Sequence, residues 1–84
     1  MTYRVRVSNA FERQLKKLSQ NDRKRAWKLL EEIQTTPYLS KPLSGQLSSA
    51  RSARLGDIRL IYTIDENQKL LILLYVGHRE RIYE

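Results

Sequence analysis

The chain has no cysteine and a single histidine, His78, among its 84 residues. A disulfide scaffold, a thiolate zinc site and a cysteine nucleophile are all excluded by that composition. A metal site would have to be assembled from carboxylates, which are scattered and scarce, with 9 Asp and Glu against 16 Lys and Arg. No metal and no cofactor is expected. Long apolar runs are missing too: the most apolar stretch, Leu70-Leu71-Ile72-Leu73-Leu74-Tyr75-Val76, falls well short of the ~20 residues that span a membrane. The N-terminus alternates as Thr2-Tyr3-Arg4-Val5-Arg6-Val7, where a signal peptide would show a continuous apolar stretch. No repeat, linker or low-complexity segment is found. A cytoplasmic protein with no membrane partner is the expectation.

Positive charge is what the chain has in excess. The formal net charge is +7 and the pI about 10.1, a balance that favours polyanionic partners and fast, salt-sensitive association. The length suits one domain, 1–84, with one modest core.

Tyr3, Val5 and Val7 alternate with Arg4, Arg6 and Ser8, the period of a half-buried strand. Asn9 with Glu12 three residues on reads as a helix-start box. Phe11, Leu15 and Leu18 then share one helical face, with Arg13, Gln14, Lys16 and Lys17 pointing away. A second helix start is read at Asn21-Asp22. Its apolar stripe is Ala26, Leu29, Leu30 and Ile33, with Trp27 at the margin, and Pro37 ends it. Residues 36–50 read as a loop anchored by Leu39, Leu43 and Leu47. Three strands follow, at about 51–55, 58–64 and 70–76, joined by Gly56-Asp57 and by Asp65-Glu66-Asn67-Gln68. The unbroken apolar run of the last strand predicts a position inside the sheet, covered on both faces. Two short helices can cover only one face. The other must be closed by the loop or by another protein.

Arginine recurs along this C-terminal half: Arg51 and Arg54, then Arg59, then Arg79 and Arg81, with Tyr83 close behind. Unpaired arginine is costly to bury, so several converging on one sheet point to an anion, and phosphate is the obvious one. The alternative for Arg59 is an edge ion pair with Asp57 or Glu80. His78 reads most simply as a solvated or packing histidine. The lysines and arginines of the helices read most simply as a solvated face.

Asn9-Ala10-Phe11 with Leu15-Lys16-Lys17-Leu18, Lys41-Pro42-Leu43-Ser44-Gly45, Arg54 through Tyr62, and Val76-Gly77-His78-Arg79 with Tyr83 together resemble the RelE/ParE superfamily of toxins from type II toxin–antitoxin systems, in its RelE-like branch. The resemblance spans essentially the whole chain. It implies an α+β fold in which two N-terminal helices pack on a small, mostly antiparallel sheet in the order β-α-α-β-β-β. It further implies a ribosome-dependent endoribonuclease that cuts mRNA in the A site and is silenced by a cognate acidic antitoxin. Arg59, Arg79, Tyr83 and Arg54 match catalytic positions. Arg51, Arg81 and His78 are the substrate-binding candidates. The RelE toxin continues past the tyrosine with another helix, whereas this sequence stops at Glu84. A ParE-type toxin that inhibits DNA gyrase and an inactive nucleic-acid-binding relative are the alternatives.

The chemistry fits the residue types. Metal-free cleavage by the 2′-hydroxyl needs cations around a phosphate that gains charge, usually the largest contribution to such catalysis. Guanidinium groups grip two phosphate oxygens at once. Tyr83 could transfer a proton or stack on a base; surrounding arginines would lower its ordinary pKa of about 10 by favouring the phenolate.

Overall fold

A Ser hydroxyl starts each helix. In the computed structural model, which describes residues 2–43 and 49–78, Ser8 Oγ accepts the Phe11 N–H at 3.0 Å and donates to the Leu74 carbonyl at 2.7 Å. One side chain thus caps α1 (Asn9–Lys17) and fastens it to the sheet. Ser19 Oγ likewise accepts the Asp22 N–H at 3.1 Å and caps α2 (Gln20–Thr35). Both caps lie earlier than the expected Asn9 and Asn21, because a Ser with a free backbone N–H three residues on was available first. Asp22 does sit in the first turn of α2, where its charge suits the helix end.

The strands are β1 (Arg4–Val7), β2 (Lys41–Pro42), β3 (Arg51–Leu55), β4 (Ile58–Asp65) and β5 (Leu70–His78). They form one sheet in the order β1-β5-β4-β3-β2. β1 runs parallel to β5 and every other pairing is antiparallel. The expected α+β architecture is what the chain adopts, with one addition: the 36–50 segment contributes the short β2. β5 is paired on both sides, as its apolar run required.

Helix α1 packs on β5, and α2 on β3 and β4. Phe11, Ala26, Leu29 and Ile33 from the helices meet Ile58, Leu60, Tyr62, Leu71, Leu73 and Val76 from the sheet. A register shift opposite Ile61 and Tyr62 inserts Leu74 into β5, so Leu73 and Val76, three residues apart, both reach the helix side. Such a bulge bends its strand. On the far face Leu74 and Tyr75 join a smaller cluster around Ile61 and Ala50, together with Leu43. The flanks of the long loop thereby close one end of that face. Trp27 stays half exposed and takes no place in the core.

Candidate anion-binding site

A two-residue turn sets the geometry. Gly56 takes φ +61°, which suits a residue without Cβ at the first centre of a tight hairpin turn. The turn fixes the β3–β4 register so that Arg54 stands directly opposite Arg59. Ile58 and Leu60 point into the helix-side core, as does Ala53. By alternation Arg54 and Arg59 emerge on the other face, side by side.

Neither arginine forms an ion pair with a carboxylate among the described residues; the ion pairs present there involve Arg25, Lys69 and His78. The Asp57 partner considered for Arg59 is not engaged, and Glu80 lies outside the described residues. The Nε of Arg59 is buried and has no hydrogen-bond partner among them. Across β4–β5, Arg59 faces Gly77, which brings no side chain to that side of the guanidinium. Like charges directly opposite in a sheet destabilise by up to roughly 1 kcal/mol, and an unmade buried hydrogen bond costs about 1–3 kcal/mol.

The other candidates are placed as follows. Arg51 pairs with Tyr62 and so lies on the helix side, opposite to Arg54. Its guanidinium donates to the Ser40 carbonyl at 2.5 Å and the Tyr38 carbonyl at 3.3 Å, and rests 5.0 Å from the centre of the Tyr38 ring. Arg51 thus holds the segment leaving α2. His78 pairs with Ile58, also on the helix side, and its Nε2 lies 3.1 Å from Asp22 Oδ2. Asp22 in turn accepts from Arg25 at 2.8 Å. Arg79, Arg81 and Tyr83 lie outside the described residues.

Lys41 entered the sequence reading only through the family resemblance, with no site role, in a stretch that reads as loop. It joins Arg54 and Arg59 around a cavity of about 630 Å³. Away from the arginines, Glu66 gathers hydrogen bonds from the phenols of Tyr3 (2.8 Å) and Tyr38 (2.6 Å) and pairs with Lys69. Lys69, then Tyr38 and Tyr3, hold its carboxyl down at about 2. The two phenols are correspondingly pushed up by their bonds to Glu66. Burial raises Tyr62, whose hydroxyl donates to the Pro37 carbonyl at 2.6 Å. Among the described residues no three His, Asp or Glu side chains cluster as metal ligands, and no helix is long and apolar enough to cross a membrane.

The class so defined is a small basic α+β domain with two arginines side by side on one sheet face, neither paired with a carboxylate among the described residues. Residues 5–83 match the family described as ParE toxin of type II toxin-antitoxin system, parDE, and the chain belongs to this RelE/ParE family of toxins. The putative toxin RelE4 of Methanocaldococcus jannaschii is 29% identical over 98% of this chain and 92% of its own length. Toxin RelG of Mycobacterium tuberculosis is 42% identical over 54% of this chain and 52% of its own. A chain in the crystal structure of the toxin-antitoxin complex RelBE2 from Mycobacterium tuberculosis superposes with a TM-score of 0.86 at 31% identity, covering 94% of this chain and 100% of that one.

Proposed function

We propose that this toxin is a ribosome-dependent endoribonuclease that cleaves mRNA in the A site. The observation that carries the reading is the Arg54–Arg59 pair, on one face and without a carboxylate partner among the described residues. In the reaction the 2′-oxygen of a nucleotide loses its proton and bonds to the adjacent phosphorus. The bond from phosphorus to the 5′-oxygen breaks, and that oxygen takes up a proton. Arg59 holds the scissile phosphate together with Arg79, and Arg54 supports them. Their charges offset the negative charge that builds on the phosphate. Tyr83 is assigned to proton transfer or to stacking on a base, Arg81 to the RNA backbone. Arg51 and His78, engaged on the helix side, act indirectly by holding chain segments in place. Arginine is a weak acid, so the rate depends on substrate positioning, which the ribosome supplies.

The partner is a cognate acidic antitoxin that covers or distorts the arginine face, in the cytoplasm. Similarity to a chain seen in a toxin-antitoxin complex supports it. The family description itself favours a second reading, a ParE-type inhibitor of DNA gyrase. Purified protein added in parallel to a translating ribosome and to a gyrase supercoiling reaction separates the two. Arrest of translation, lost in the Arg59→Ala/Arg79→Ala double variant, supports the nuclease. Inhibition of gyrase alone would replace it.

A further inference from the structure

Beside the arginine pair the edge of β3 is open. β2 pairs with Arg51 and Ser52, so among the described residues Ala53 and Arg54 have no strand neighbour on that side. The gap between this edge, the second half of α2 and residues 39–43 is the cavity of about 630 Å³. That volume falls within the roughly 300–1,000 Å³ of small-molecule sites. Its walls have two characters. Leu39, Pro42 and Ile33 are apolar, whereas Lys41, Arg54 and Arg59 bring three cations against the single carboxylate of Glu32. Leu39 is 81% exposed at the rim, so its side chain is open to contact with a ligand. The buried Nε of Arg59 lacks a partner among the described residues at the same site.

We propose that this cleft is a nucleoside pocket, receiving the base and sugar of the RNA nucleotide whose phosphate lies on Arg54 and Arg59. The inference rests on the RNA-cleaving reading above and adds a subsite to it. A ligand that fits must be anionic at one end and flat and apolar at the other. A nucleotide has that form: the phosphate meets the guanidinium groups, and the ring lies between Leu39 and Pro42. Lys41 at the rim faces the next phosphate along the strand. Thr36, Ser40, Ser52 and Glu32 also line the pocket, so a base edge can be hydrogen-bonded there as well as packed, and larger rings, which cover more of the apolar wall, are favoured over smaller ones.

The test is an NMR titration of the full chain in phosphate-free buffer, with inorganic phosphate, ribose 5-phosphate and the four nucleoside 3′-monophosphates as probes. Phosphate should shift the backbone amides of Arg54 and Arg59. The nucleotides should in addition shift Leu39, Ser40, Lys41 and Ser52, purines more tightly than pyrimidines. Leu39→Ala, a truncation at an exposed position, should weaken purine nucleotide binding about five- to tenfold through lost apolar contact while phosphate binding stays within twofold. Nucleotides that shift only the amides phosphate shifts would overturn the pocket and leave the arginine site standing. No response of Arg54 and Arg59 to any probe would count against the nuclease reading itself. Shifts at 39–43 caused by an acidic leucine-containing peptide and by none of the nucleotides would make the cleft a protein-docking groove, and the pocket would again be wrong.

Discussion

Removing the charge of Arg59 should make the protein more stable while disabling it. Arg59 stands opposite Arg54, and relief of that repulsion contributes roughly 0.2–1 kcal/mol. Its buried Nε, unpartnered among the described residues, adds a desolvation cost of about 1–3 kcal/mol for a fully buried group. Arg59 is only partly buried, so the lower end applies. Arg59→Met retains an unbranched stem of similar length and removes the guanidinium. The two gains together come to about 1 kcal/mol, which for a domain of this size raises Tm by roughly 4–8 °C. Urea unfolding at low ionic strength, read as a shift in midpoint at constant slope, measures it. Added phosphate should narrow the difference, because it binds the native wild-type protein and stabilises it by mass action. Destabilisation by the substitution, or a gain that phosphate does not reduce, would refute the view that Arg59 is held in reserve for an anion.

Three other outcomes follow from the contacts. Tyr62→Phe leaves the Pro37 carbonyl without its 2.6 Å donor inside the protein and should cost about 1–2 kcal/mol in urea unfolding. Ser8→Ala removes the cap of α1 and the bond to Leu74 together, and should cost about 1–2 kcal/mol, with hydrogen exchange of the α1 amides accelerated. The carboxyl of Glu66 is held at about 2 against an ordinary 4.5, so its contribution to stability is complete above pH 4.5 and is lost as the pH falls through 2. Glu66→Gln should therefore flatten the acid branch of the stability curve across that window, checked by thermal melts at closely spaced pH values.

The helix-side half of the fold was legible because its signals are periodic. Alternation in β1, the stripe Ala26–Leu29–Ile33 and the turn residues Gly56-Asp57 each reflect a local rule, and the strands formed where those rules placed them. What escaped detection depends on partners distant in sequence. β2 is a pair of residues, one of them a proline, and exists only because β3 lies beside it. The parallel docking of β1 on β5 and the bulge at Leu74 are hidden in a uniformly apolar run. The helix starts were misplaced by one and two residues because Asn and Ser offer similar caps.

The placement of the candidate site's arginines was partly legible for a related reason. Arg51 and Arg54 are three apart, so a strand sends them to opposite faces, and only one could join Arg59. Which one it is depends on the register fixed by the Gly56 turn and on the face buried by Ala53. The place of Lys41 at the site was not legible because nothing in its local sequence shows that the chain returns to the edge of β3.

Cleavage mapping tests the nuclease most directly. Purified protein is added to ribosomes stalled on a defined mRNA, and new 5′ ends are located by primer extension. The account predicts cuts confined to the A-site codon, dependent on the ribosome, and slowed at least about 100-fold by Arg59→Met, the scale seen when one charge-stabilising group is removed. Cuts at the wild-type rate in that variant, or arrested translation with the message intact, would contradict it.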